Sequence, residues 1–432
     1  MGLAVQGKSR IWESLWAITL VALLARLAAI GFLYRNTWNP ARNFWLFGYE
    51  IGRIAQSVAE GNGNGNPLDR QTGPTAWMTP AYPYLLAGIF KLFGVYTRAS
   101  AFAILCLNGL FSALVCIPIF FVARGSFGRT VALGAAWTWA LLPYAIYLSS
   151  SFVWETCFSA LLLTILFLLT LRLKEQPSRW AWLGYGLLWG FAVLTNASVI
   201  SVLPLLVGWA LYHLRRNRQP WLAPAGLLVL AVAATLLPWE VRNYRTFHQL
   251  IPLRDNFWLE VWVGNDGRTE DWFSYAAHPS TSEKELAEFE RLGEIRYMAQ
   301  KRSDALGFIT DHPWTFVLTS LRRFLYTWTG FWSFKPRYLA VELYDPANIF
   351  FTVPLTLLML IGLWQAFRRT REVALPYAYV LLFYPMVYYV THPGIRYRHV
   401  IDPEIVILAV LGAICLVSQA REVTREGQAL SP

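Results

Sequence analysis

Ala99–Val122 reads ASAFAILCLNGLFSALVCIPIFFV, an apolar run with no charged side chain. Roughly 20 such residues, wound as a helix, cross the hydrocarbon core of a bilayer. Inside lipid the backbone must satisfy its own hydrogen bonds, so the run is a helix. Similar runs occupy Ile11–Tyr34, Val131–Tyr147, Phe152–Leu171, Trp180–Leu194, Val199–Leu214, Trp221–Leu237, Ile349–Ala366, Leu375–Val390 and Ile401–Val417. Val131–Tyr147 and Trp180–Leu194 are the short ones. Trp180–Leu214 reads as a tight helical hairpin turning at Thr195, Asn196 and Ala197. Ile11–Tyr34 is too long for a signal-peptide core and is read as a retained first span.

Composition agrees. The 432 residues are 56% hydrophobic and only 15% charged, against about 25% charged in ordinary soluble domains. The 21 tryptophans suit the boundary between lipid and water, where an apolar ring with a polar tip is at home. The net charge of +11 sits in short basic clusters between apolar runs, which is the signature of membrane topology and not of nucleic-acid binding. Cys106, Cys116, Cys157 and Cys415 all lie in apolar runs without CxxC spacing, so they read as buried hydrophobes.

The basic clusters also orient the chain. With Lys8 and Arg10 in the cytoplasm, Arg124 and Arg129, then Arg172 to Arg179, Arg215 to Arg218, Arg368 to Arg371, and finally Arg421 and Arg425 all fall on the same side. Two further stretches, Ala81–Val95 and Trp314–Phe334, carry Lys91 and the pair Arg322 and Arg323. Each arginine at mid-bilayer costs about 2.5 to 3.5 kcal/mol, so both stretches are expected to lie in the interface. The expectation is an all-α polytopic membrane protein with about ten spans, both ends cytoplasmic, and two large outer segments with interfacial helices. These segments are residues 35–98 and 238–348. The second is expected to hold an amphipathic helix over 283–308, opened by a capping box at Ser282 and Glu285, and another helix starting at Pro313. The chain then divides into 1–237 with the first outer loop, 238–348 as an outer helical subdomain, and 349–432 as the C-terminal spans and tail.

Ionisable residues in the outer connections are the candidates for chemistry. Glu50 lies in Phe47-Gly48-Tyr49-Glu50-Ile51-Gly52-Arg53-Ile54-Ala55, a helix expected soon after the first span. Arg53 shares its face, and the plain alternative is a surface ion pair. Trp77-Met78-Thr79-Pro80-Ala81-Tyr82-Pro83 is a rigid aromatic turn, suited to holding groups such as Tyr82 against a partner. Glu155 stands at the outer end of the fourth run, where a carboxylate is costly without a partner. Arg396 and Arg398 flank Tyr397 in the last outer loop; a guanidinium there matches a phosphate at headgroup depth, or serves as an interface anchor. Arg242, early in the second outer segment, has the same alternatives. Gly264-Asn265-Asp266 and His278-Pro279 read as turns bordering a site. The histidines lack metal-ligand spacing, although a carboxylate with phosphate oxygens can hold a divalent ion, so a metal stays open. No Walker A loop, GxGxxG or GxSxG motif is present, and no nucleotide cofactor is expected. Arg26, the main charge inside the spans, reads as structural or lipid-facing.

The order of these features resembles the membrane glycosyltransferases of GT-C fold, near the protein O-mannosyltransferases and the aminoarabinose transferases. Tyr49-Glu50-Ile51-Gly52-Arg53 after the first span, the Pro-rich segment at Trp77–Pro83, Glu155, and Arg396-Tyr397-Arg398 before Asp402-Pro403 carry the resemblance. It implies a polyprenyl-phosphate-linked sugar donor and a protein, lipid or glycan acceptor. It implies Glu50 as general base or acceptor-orienting group, Glu155 as a second acidic site residue, and Arg396 or Arg398 at the donor phosphate. The expected place is a bacterial inner membrane, with the site facing the periplasm or exterior and transfer inverting the anomeric carbon. The rival reading is a transporter or flippase of lipid-linked saccharide.

Overall fold

The computed structural model describes residues 11–32, 48–268, 274–330 and 344–429. The helices are α1 (Leu15–Phe32), α2 (Tyr49–Ala59), α3 (Ala81–Phe93), α4 (Arg98–Phe127), α5 (Arg129–Leu141), α6 (Pro143–Ser151), α7 (Thr156–Leu173) and α8 (Arg179–Thr195). They continue as α9 (Ala197–Arg216), α10 (Leu222–Phe247), α11 (Phe257–Gly264), α12 (Glu283–Leu292), α13 (Glu294–Asp311), α14 (Pro313–Thr329), α15 (Ile349–Arg369), α16 (Arg371–Val390) and α17 (Ile395–Glu422). Among the described residues the only β feature is an isolated bridge between Gly65 and Pro74.

Among the described residues eight helices are long and apolar enough to cross a membrane, or nine if the bent pair α5–α6 is one span. The sequence reading expected ten. The tenth expected run is α8, whose 17 residues lie at the short end of spanning length; near its start Trp182 donates to Gln176 O at 3.0 Å, and its last residue Thr195 accepts from Thr79 at 3.1 Å. The bend of 45° between α5 and α6 falls at Pro143, where a missing N–H interrupts the helical ladder. The hairpin expected over Trp180–Leu214 turns at Asn196, whose side chain accepts from the Ser198 N–H at 3.0 Å.

Of the two stretches expected in the interface, Ala81–Val95 contains the short apolar helix α3 and Trp314–Phe334 contains α14; residues 331–334 lie outside the described residues. The single helix expected over 283–308 is two, broken at Gly293 with φ of +75°. Ser282 caps the first of them, accepting from the Glu285 N–H at 3.4 Å.

Two cores organise the molecule. The larger one fills the bundle around Trp139, Trp182, Trp189 and Tyr377. Its central helices are α7 and α17, 67% and 72% buried, whereas α10 and α15, 22% and 28% buried, offer their flanks to lipid. Arg26 is entirely buried and donates to Ser112 Oγ at 2.9 Å, Ala22 O at 2.9 Å and Ala140 O at 3.0 Å. It bolts α1 to its neighbours and does not face lipid. The smaller core joins Ile54, Tyr82, Leu259, Phe289 and Tyr297 with Ile30, Ile104 and Val153. Because Ile30 ends one span and Ile104 begins the next, α2, α3 and α11–α13 form a cap over one end of the bundle. The four cysteines are unpaired.

Candidate active site

The candidate site lies where cap meets bundle, and a glycine brings its first two carboxylates together. Gly48 precedes α2 with φ of +73°, and a Cβ there would collide with the carbonyl of Val153. Only glycine adopts that conformation at no cost and leaves room for the contact. The start of α2 therefore rests on the connection between α6 and α7, which carries Glu155. Glu50, two residues on, is 8% exposed. Burial raises its carboxyl to about 7; the charge of Glu260 adds to the rise, while its own backbone and the charges of Arg396 and Arg254 oppose it.

Glu155 is also raised, mainly by burial, with Arg396 and Arg254 pulling the other way. Its Oε2 is shut from solvent and has no hydrogen-bond donor among the described residues. Arg396 is electrostatically coupled to both glutamates. Its guanidinium lies over the Trp154 ring, 3.8 Å from the centroid, and donates to the Tyr397 hydroxyl at 2.7 Å. Tyr397 in turn stacks on Tyr388 at 4.4 Å. The aromatic wall fixes the cation by cation–π attraction without neutralising it.

Facing these groups is a second wall from α11 and the loop before α17. Gly264 closes α11 against Thr391, again where a Cβ would strike a carbonyl. Glu260 on that helix accepts from Asn256 Nδ2 at 2.8 Å, lies 2.8 Å from His392 Nε2, and lies 3.6 Å from Arg254. Burial alone raises a carboxyl, but His392 and Arg254 outweigh it here and hold Glu260 down at about 2. His278 is buried, with Nε2 at 3.9 Å from Glu50 Oε1. Burial pushes that ring down to about 4, so it is neutral at ordinary pH. The result is one carboxyl poised near neutrality, one firmly ionised, and a positive flank. That combination takes a proton on one side and steadies a developing anion on the other.

A family model described as dolichyl-phosphate-mannose-protein mannosyltransferase matches residues 77–239. The archaeal oligosaccharyltransferase AglB from Archaeoglobus fulgidus, in complex with an inhibitory peptide and a dolichol-phosphate, aligns with 97% of the chain at a TM-score of 0.55 and 13% identity. The same protein tethered with an acceptor peptide aligns with 95% at 0.54 and 14% identity. The chain has a GT-C fold. It spans about half the length of AglB, 52% and 50% in the two structures. ArnT from Cupriavidus metallidurans bound to undecaprenyl phosphate aligns with 96% of the chain and 80% of its own length at 15% identity, with a TM-score of 0.36. No curated protein matches the chain significantly.

Within this GT-C frame the other sequence candidates are tied up elsewhere. Arg53 pairs with Asp69 at 2.5 Å and not with Glu50. Tyr82 donates to Asn108 Oδ1 at 2.9 Å. Arg242 donates to the carbonyls of Thr75 at 2.7 Å and Asn64 at 2.6 Å, so it clips the first outer loop to α10. Arg398 is 3% exposed and bonds to Asp402 at 2.9 Å and Thr356 at 3.2 Å. Its neighbour Arg396 is half-buried and presented to the acidic site. Among the described residues no three His, Cys, Asp or Glu side chains gather as a metal-binding set. A surface cavity of about 190 Å³ beside Arg53, Glu60 and Asp69 contains neither Glu50 nor Arg396.

Sequence reading missed Arg254, Glu260 and His392. All three lie in segments read from the sequence as outer, but only the fold brings Glu260 against a histidine 132 residues later. The turns at Gly264 and His278 were the available signal.

Proposed function

We propose that the protein transfers a sugar from a polyprenyl-phosphate-linked donor to a hydroxyl of a protein, lipid or glycan acceptor, with inversion at the anomeric carbon. The acceptor O–H enters beside Glu50. Its oxygen forms a bond to the anomeric carbon as the bond from that carbon to the phosphate oxygen breaks. The electron pair leaves with the polyprenyl phosphate, and the acceptor proton passes to the Glu50 carboxylate. A base with a pKa near the working pH is the effective kind. Arg396, held flat by Trp154 and Tyr397, takes the phosphate and steadies its growing charge. Glu155 orients the sugar through the carboxylate oxygen that has no donor among the described residues.

The observation that carries this reading is the buried Glu50, raised to about 7, beside a cation that two rings hold in place. A match over residues 77–239 to a mannosyltransferase model and the shared fold with an oligosaccharyltransferase support the same chemistry. The short basic connections at the far end of the bundle support a site on the outer face of a bacterial inner membrane. The segment 1–237 then carries the catalytic carboxylates, 238–348 the outer helical subdomain, and 349–432 the spans that present Arg396. The test is transfer in proteoliposomes by Glu50→Gln: product formation is expected to vanish while polyprenyl-phosphate binding persists. Full activity in that variant removes Glu50 from the role of base.

A further inference from the structure

We infer that His278 is a positioning residue for Glu50, holding the carboxylate as the acceptor's base through a neutral Nε2–H donor; this rests on the transferase reading above. The tautomer follows from the loop that carries the ring. The backbone N–H of Ser280 donates to Nδ1 at 3.1 Å, and the Ser280 hydroxyl contacts the same nitrogen. Nδ1 is thereby an acceptor, so the single proton of the neutral ring sits on Nε2. Nε2 is the atom that faces Glu50 Oε1, at 3.9 Å.

The ring cannot readily turn away. Trp77 packs edge-on against it, centroids 5.7 Å apart, and the residue is 3% exposed. The separation exceeds a hydrogen bond, and a small movement of the Glu50 side chain closes it. Catalytic contacts commonly tighten in this way when substrate arrives. Other charged and titratable groups acting on Glu50 are Glu260, Arg396 and Arg254, with Tyr49 on its own helix. The two arginines also act on Glu155, and Glu260 is already engaged by His392. His278 is the neutral donor aimed at the base.

A neutral donor has a definite use. It favours the ionised carboxylate by hydrogen bonding without placing a full positive charge beside it. Glu50 stays a usable base near neutrality, and its attacking oxygen keeps one direction. Burial, which keeps His278 neutral, is part of the arrangement.

The experiment measures kcat, donor KM and the pH dependence of transfer for His278→Ala, His278→Gln and His278→Asn in proteoliposomes. Glutamine places an N–H donor near the position of Nε2, whereas asparagine places it near Nδ1. The alanine and asparagine variants are expected to lose roughly 10- to 100-fold in kcat with little change in donor KM. Their acid limb should move to higher pH, because Glu50 loses a donor that favours its charged form. Glutamine should restore both rate and limb. Wild-type behaviour in the alanine variant, an acid limb that does not move, or equal rates for glutamine and asparagine each overturn the inference. Should the alanine variant not fold, the comparison of glutamine with asparagine decides alone. If Glu50→Gln is active the base assignment itself fails; if it is inactive while the His278 variants resemble wild type, only this inference fails.

Discussion

The buried arginines of the bundle and the buried carboxyls of the cap are held differently. In the bundle the buried arginines are saturated: Arg26 has its donors on Ser112, Ala22 and Ala140, and Arg398 is locked to Asp402. In the cap and at its seam, carboxyls are buried with too few donors. Glu155 is one case and Asp255 beside Glu294 is another, while Glu50 is raised mainly by burial. Both Asp255 oxygens are buried without a donor. Burial raises Asp255 to about 6, and burial together with Asp255 drives Glu294 well above the carboxylate range. One proton must sit between the two acids. Glu294 also accepts from Thr75 Oγ1 at 2.5 Å and from the Ala76 N–H at 2.6 Å, so this pair anchors the first outer loop. Saturated charge gives stability. Unsaturated charge at a seam leaves groups that titrate near neutrality, which is what proton-transfer chemistry needs.

Four tests sharpen that contrast, beginning with the largest effect. Gly48→Val at the seam combines a strained backbone with a collision against Val153. It should abolish transfer and expose the cap to limited proteolysis while the bundle stays folded; a protease-resistant, active variant would show that the close approach is unnecessary. Next come the two arginines of the last loop. Arg398→Ala strands Asp402 inside the bundle and should cost about 3 to 5 kcal/mol, read as a fall in Tm. Arg396→Ala should leave Tm nearly unchanged and weaken donor binding roughly tenfold. Exchanged outcomes would reverse the roles assigned to these neighbours.

The third test uses pH. Between the ordinary carboxyl range and its own raised value, Glu294 keeps a proton in the folded protein that the unfolded chain has released. Cap stability therefore falls as pH rises through that window. Glu294→Gln supplies a permanent amide and should flatten the dependence, seen as a smaller loss of protease resistance between acid and alkaline pH. An unchanged slope would contradict the shared proton. The smallest effect is expected from Arg70→Ala, whose pairs with Glu283 at 2.8 Å and Glu290 at 3.0 Å are at the surface. Exposed pairs contribute about 0 to 1 kcal/mol, so Tm should barely move.

The same contrast separates what was legible in the sequence from what was not. The spans were legible because lipid imposes a length and an apolar composition that a single run such as Ala99–Val122 displays. The tenth run, α8, is apolar but only 17 residues long, at the lower limit of what crosses a bilayer, and a run of letters does not measure a helix against a bilayer. Glu50, Glu155 and Arg396 were visible as charges in outer connections where charge is costly. Arg398 looked equivalent to Arg396, since its partner Asp402 is one helical turn away and spacing alone does not say which side faces inward. Glu260 went unremarked, and His392 stood only among the outer histidines with no role, because their meeting depends on a close approach at Gly264. The cap core, drawn from segments scattered between Ile30 and Met298, has no local periodicity to announce it.

The central claim is that Glu50, buried at the seam, takes the acceptor proton. The most direct measurement is the pH dependence of kcat/KM for transfer by the wild-type protein in proteoliposomes. An acid limb with a midpoint near 7, the value to which burial raises Glu50, is the expected result. A rate that stays level from pH about 5 to about 8, the range over which such a base must titrate, would contradict it.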